Sequence, residues 1–139
     1  MSYNLKNKTI LITGASGGIG SALCKIFFDS NCTLICTTSS NEKLLELKKK
    51  YGKNNFYYLL DLSDINAVSE IIDNIAQKHK IDVLINNAGI TKDNLLLRMT
   101  IEQWNEVINL NLNSNFYIIK RILPLMIKSR SGVIIGISS

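Results

Sequence analysis

Eight residues near the start of the chain, Thr13-Gly14-Ala15-Ser16-Gly17-Gly18-Ile19-Gly20, carry four glycines and two hydroxyls. A glycine-rich turn between a strand and a helix lets backbone amides approach a phosphate at the positive helix N-terminus. Spacing decides among the known versions of such a turn. The pattern G-x-G-x-x-G counted from Gly18 would need glycine where Leu23 stands. A Walker A loop would need glycine and lysine where Ile19 and Gly20 stand. The spacing that fits is G-x-x-x-G-x-G, on Gly14, Gly18 and Gly20. Its position directly after an apolar run favours phosphate binding over a plain tight turn.

Polar groups also close the next three apolar runs. After the second stand Thr37, Thr38, Ser39 and Ser40, and the nearest acid is Glu42. An acid here would hold the ribose hydroxyls of NAD, whereas hydroxyls can donate to a 2′-phosphate. The set therefore favours NADP, with no arginine at hand, while Ser39 or Ser40 could equally cap the following helix. Asp61, followed by Leu62, is either an acceptor for an adenine amino group or a turn residue. Asn86-Asn87-Ala88-Gly89 is either a backbone clamp or a cofactor floor, and the two are compatible.

The elements that must position these groups alternate. Strand patterns cover Lys8 to Thr13, Thr33 to Thr38, a run from Phe56 ending near Asp61, a run from Ile81 into the asparagines, and Val133 to Ile137. Helical spacing begins at Ser21, with Leu23, Ile26 and Phe27. A second helix is expected after a capping box of Ser39 with Glu42, carries an apolar face of Leu44, Leu45 and Leu47, and stops at Gly52. Ile65, Val68, Ile71, Ile72 and Ile75 mark a third. A capping box of Thr100 with Gln103 opens a long helix past Asn111 towards Lys128, with Pro124 a candidate kink. Apolar strands separated by amphipathic helices predict an α/β, Rossmann-type doubly wound parallel sheet in a single domain. Ligands of such sheets lie beyond the C-terminal ends of the strands.

Composition narrows the classes. The chain has 139 residues, 46% hydrophobic and 19% charged, the size of one domain. The start lacks the apolar core of a signal peptide, and the longest apolar run is cut by Lys120 and Arg121, so a soluble cytoplasmic protein with no membrane span is expected. Cys24, Cys32 and Cys36 have no metal-like spacing and read as small buried hydrophobes. The net charge of +5 is spread along the chain, and Lys48-Lys49-Lys50 ends a helix, so nucleic acid is not an expected partner.

Taken in order, TGASGGIG, Asp61-Leu62, NNAG, Asn111 within NLNLN and a strand ending in serine resemble the short-chain dehydrogenases/reductases over essentially the whole chain. The resemblance implies that Gly14, Ser16, Gly18, Ile19 and Gly20, with Gly17 between them, line the cofactor pyrophosphate and ribose. Asp61 and Leu62 would meet the adenine, and Asn87, Ala88 and Gly89 the ribose and nicotinamide side. The stretch from Asn86 to Leu112 and the stretch from Met126 to Ser139 resemble bacterial 3-oxoacyl-(acyl-carrier-protein) reductase. That implies NADPH (NADP) as cofactor, a 3-oxoacyl thioester on acyl carrier protein as substrate, and a homotetrameric parent. Arg130 would either help dock the acidic carrier or be a solvated helix-end charge. Such relatives commonly carry arginine where Gly17 stands, which leaves Ser39 as the main positional candidate for the 2′-phosphate.

The chemistry implied is hydride transfer to a carbonyl, with a tyrosine supplying the proton and a nearby lysine lowering its pKa. By position, Ser139 would donate a hydrogen bond to the substrate oxygen and Asn111 would hold a relay water. The tyrosine and lysine should appear as Y-x-x-x-K. Four residues after Tyr3, Tyr51, Tyr57, Tyr58 and Tyr117 stand Asn7, Asn55, Asp61, Leu62 and Arg121, so no pair is present. The expectation is a cofactor-binding part truncated after the fifth strand, with the catalytic pair and substrate lid absent and no activity by itself. The alternatives are another short-chain reductase of alcohol, sugar or polyketide substrates, and a non-catalytic dinucleotide-binding protein.

Overall fold

The computed structural model describes residues 5–138. Five strands, β1 (Thr9–Ile12), β2 (Thr33–Thr38), β3 (Phe56–Leu59), β4 (Val83–Asn86) and β5 (Val133–Gly136), form one parallel sheet in the order β3-β2-β1-β4-β5. Between them run α1 (Gly18–Asp29), α2 (Asn41–Tyr51), α3 (Ile65–Lys78), α4 (Ile101–Ile108) and α5 (Ser114–Ser129). A π-helical turn, Asn109–Asn113, joins α4 to α5. The strand order reverses between β1 and β4, and at such a switch point the loops diverge and leave a crevice. The predicted doubly wound architecture is the observed one.

The two-residue period of a strand explains why the central strands are apolar throughout. In β1, Ile10 and Ile12 join Leu34, Cys36, Val83 and Ile85 in a core that also takes Cys24 of α1 and Leu47 of α2. Leu11 turns the other way, to Ile35, Leu84, and the α3 and α5 residues Val68, Ile72, Ile118 and Ile122. Both faces are covered, so no position in the strand favours a polar residue. Each such side chain contributes roughly 1.5–3 kcal/mol relative to an exposed one.

Helix starts depart from the sequence expectation in two places. α1 begins at Gly18, one turn before Ser21, because its first turn faces the crevice and carries no apolar stripe. Ser40, not Ser39, caps α2. Its Oγ accepts from Lys43 N at 3.3 Å, while Ser40 N donates to Thr38 Oγ1 at 3.4 Å. With Ser40 as the cap the third helical residue is Lys43, so the Ser39–Glu42 box does not form. The Thr100–Gln103 box forms in both directions, at 3.2 and 3.1 Å. Pro124 lies within α5 without ending it, on an exposed face where water can take the carbonyl that its missing N–H leaves. The basic triplet occupies the last turn of α2, and Gly52 closes that helix with φ 75°. Cys24, Cys32 and Cys36 are buried and free, as expected. Among the described residues no helix is long and apolar enough to cross a membrane, and no three potential metal ligands cluster.

Candidate functional site

A cavity of about 510 Å³ opens at the C-terminal edge of the sheet, between the loops that follow β1, β2, β3 and β4. It gathers Gly14, Ser16, Gly17, Gly18, Ile19 and Gly20 from the first loop, Ser39 from the second, Asp61 and Leu62 from the third, and Asn87, Ala88 and Gly89 from the fourth. All of the cofactor positions expected from the sequence thus border one space. Thr37, Thr38, Lys43, Leu60, Ile90 and Leu110 complete its lining.

The glycines of the first loop have different causes. Gly14 has φ +63°, and a Cβ there would lie 2.9 Å from the Cα of Ala88. It is glycine both for its left-handed backbone and for close approach of the fourth loop. A Cβ on Gly20 would collide with the Gly14 carbonyl oxygen. A Cβ on Gly18 would meet nothing within 4 Å, so the fold alone does not require glycine there. Its missing side chain instead leaves open room inside the cavity, at the start of α1. Together with the amides of the first helical turn, that opening suits a diphosphate.

Thr13 fastens this loop to the fourth. Its Oγ1 accepts from Asn87 N at 3.0 Å and Ala88 N at 3.1 Å, and donates to the Ile85 carbonyl at 3.4 Å. Asn87 returns the contact through Nδ2, which donates to the carbonyls of Thr13 at 3.0 Å and Gly14 at 3.2 Å. Of the two asparagines it is Asn87 whose side chain forms the clamp, and Asn87 also lines the cavity it clamps. The structure gives Thr13 a part that the sequence reading missed. Its one signal was a hydroxyl ending an otherwise apolar strand.

At the end of β2 the four hydroxyls are not equivalent. Thr37 and Thr38 are buried, and Thr38 Oγ1 is bonded to Ser16 Oγ at 2.8 Å, tying the glycine turn to β2. Ser39 is exposed on the cavity rim. Glu42 lines a groove with Leu45, Glu46, Lys48 and Lys49, away from the cavity. Lys43 lines the cavity itself, which a lysine in a solvated amphipathic helix did not announce. Asp61 makes an Asx turn, with Oδ1 accepting from Ser63 N at 2.9 Å and Ser63 Oγ at 2.7 Å. These bonds, the hydroxyl first, hold its carboxyl below the usual range. Asp61 is thus a turn residue and also part of the lining.

Asn111 lies in the π-helical turn and is locked to the fourth loop by a reciprocal pair. Its Oδ1 accepts from Ile90 N and its Nδ2 donates to the Ile90 carbonyl, both at 2.8 Å. Asn115 Nδ2 donates to the Asn111 carbonyl at 2.7 Å. π-Turns of this kind recur at functional sites because they shift a group out of the helical register. Ser139 lies outside the described residues. Arg130 stands apart from the cavity, with φ 51°, at the C-terminus of α5. Arg121 pairs with Asp73 of α3 at 3.2 Å. His79 packs against Phe56 with the rings tilted by 45° and bonds Tyr58 Oη at 2.8 Å. Neither lines the cavity.

Comparison with known proteins agrees with this geometry. Residues 8–139 match the family described as short chain dehydrogenase. A 3-oxoacyl-(acyl-carrier-protein) reductase from Thermotoga maritima is 42% identical over 140 residues, covering 97% of this chain and 56% of the relative. The chain spans about half the length of the curated relatives it matches. Serine dehydrogenase from Escherichia coli superposes with a TM-score of 0.86 at 31% identity, over 94% of this chain and 62% of that one. A Beutenbergia cavernae protein described as an NAD(P)-dependent gluconate 5-dehydrogenase, solved with NADP at low occupancy, gives 0.88 at 25% identity over 97% and 55%. With a matching sheet, glycine spacing and family signature over nearly its whole length, the chain belongs to the short-chain dehydrogenase family.

Proposed function

We propose that this chain is the cofactor-binding part of an NADPH-dependent 3-oxoacyl-(acyl-carrier-protein) reductase of the cytoplasm, homotetrameric as a whole enzyme. One observation carries the reading. The residues that four separate loops contribute to a single cavity are those a dinucleotide needs, in the order it needs them. The identity to reductases of that name supports the substrate class.

In this reading the amides around Gly14, Gly18 and Gly20 bind the diphosphate, with Ser16, Gly17 and Ile19 beside it. Gly18 leaves it room. Ser39 sits by the 2′-phosphate, Asp61 and Leu62 hold the adenine, and Asn87, Ala88 and Gly89 lie along the ribose and nicotinamide. Bound NADPH supplies the hydride. Asn111 orients a water of the proton relay, with its side chain held rigid by Ile90. Ser139 donates a hydrogen bond to the substrate oxygen as charge develops there. Arg130, at the C-terminal end of α5, docks the acidic carrier. The 139 residues contain no Y-x-x-x-K pair, so these residues alone bind dinucleotide without turnover.

Calorimetric titration of the purified chain with NADPH tests the first half of this. Saturable binding that Gly18→Leu abolishes is expected, and no binding by the folded chain would overturn the reading. An assay of NADPH oxidation with a 3-oxoacyl thioester tests the second half. Turnover by these 139 residues would mean that the proton donor lies among them. A second reading, a short-chain oxidoreductase of another substrate, is favoured by the named activities of the solved relatives, serine and gluconate 5-dehydrogenases. Carrier-linked substrate against free sugar or alcohol, assayed on the whole enzyme, separates the two.

A further inference from the structure

The cavity rim at the end of β2 is electrostatically lopsided. Among the described residues that line the cavity, Lys43 is the one cation and Asp61 the one carboxylate. Asp61 has both bonds from Ser63 on the same oxygen and sits on the loop after β3. Lys43 is the third residue of α2. Its backbone N–H is fixed on Ser40 Oγ, and its ammonium has no ion pair among the described residues.

The hydroxyls beside Lys43 divide in the same way. Thr38 Oγ1 is committed to Ser16 and to Ser40 N. Ser39 is exposed on the rim, one residue before the cap. The acid nearest in sequence, Glu42, lines a groove with Leu45, Glu46, Lys48 and Lys49 and does not line the cavity. The rim thus offers one unpaired cation and one exposed hydroxyl, with the local acid outside the lining. A ribose diol needs no cation. A phosphate monoester, carrying about −1.5 to −2 charges at pH 7, does.

We infer that Lys43 is the specificity-determining cation for the 2′-phosphate of NADPH, with Ser39 as its hydroxyl partner. The inference rests on the proposal that the cavity takes a dinucleotide. It also explains how a chain with glycine at position 17 can prefer the phosphorylated cofactor: the charge is supplied from the first turn of α2 instead of from the glycine loop.

The test is a paired titration of the full chain with NADPH and NADH. Lys43→Gln is expected to weaken NADPH binding roughly five- to tenfold, the size of one partly screened charge-assisted hydrogen bond, and to leave NADH binding within about twofold. Lys43→Arg should keep the preference. Lys49→Gln removes the same charge from the outer groove and should leave the ratio unchanged. Raising salt should shrink the wild-type preference and leave the Lys43→Gln ratio nearly flat. An NADPH-to-NADH ratio that Lys43→Gln does not move, or that Lys49→Gln moves equally, overturns the inference while the dinucleotide reading stands. Failure of the folded wild-type chain to bind either nucleotide overturns both.

Discussion

Around the glycine turn the polar groups are tied off within the chain. Thr13 Oγ1 accepts two hydrogen bonds and donates a third, Asn87 Nδ2 donates two, and Ser16 reaches Thr38. Along α4, the π-turn and α5 the outer face is the reverse. Ile101, Trp104, Leu112, Phe116 and Ile127 are all more than half exposed. The wall of the cavity is thus stabilised by directional contacts that a single atom can break, whereas the outer helical face has few intramolecular contacts to lose. Rigidity near the cavity and tolerance outside it should therefore be separable by mutation.

The comparison breaks most sharply at Gly20. Gly20→Ala should cost about 3 kcal/mol or more, since the methyl meets a carbonyl oxygen and neither backbone can withdraw. Urea unfolding would show it, and a normal midpoint would mean that the turn is looser than its geometry. Thr13→Val comes next. It keeps the shape but leaves the N–H groups of Asn87 and Ala88 without their acceptor, for a loss of about 2–3 kcal/mol. Asn111→Ala removes the pair of bonds to Ile90 and should cost about 1–2 kcal/mol. Amide exchange at Ile90 should accelerate along with it, and unchanged exchange would show that the π-turn holds without the clamp.

A pH titration sharpens the contrast from outside both regions. Burial, and then Lys78, lower the pKa of His79 below its ordinary 6.5. The unfolded chain therefore takes that proton first. The stability contribution is complete above pH 6.5 and declines as pH falls through that value toward the folded pKa. His79→Gln should flatten this part of the profile, and a slope that survives must come from elsewhere. The smallest effect is expected in the short 3-10 turn that precedes α4, Leu96–Arg98. Leu97 is 97% exposed, so Leu97→Ser should change stability by less than about 0.5 kcal/mol.

What could be read from the sequence follows the same divide. The apolar strands and the Gly14, Gly18, Gly20 spacing were legible because both depend on short-range periodicity. The observed strands agree, with β2 covering Thr33–Thr38 as read. Three features were not legible. Ser40 displaced Ser39 as the cap because Thr38 Oγ1 holds its backbone N–H, a contact set by the turn. The helix from Ile101 to Ser129 is continuous, as read, but it carries a π-turn at Asn109–Asn113 that no spacing announced, where Asn111 reaches across to Ile90. Lys43 drew no reading from the sequence, because its place beside the cavity is a tertiary fact.

The strand order also has a kinetic consequence. β1 lies between β2, which follows it closely, and β4, and the Thr13 bonds to Asn87 and Ala88 span 74 and 75 residues. A chain emerging from the ribosome can pair β1 with β2 early, when the loop to be closed is short. The other side of β1 must wait until residues beyond Asn86 have been made. Until then Gly14 has no Ala88 to pack against, and the glycine turn is a loop at the edge of a two- or three-stranded sheet. The site is therefore the last part of these strands to mature, and long-range closure, not helix formation, sets when it becomes competent to bind.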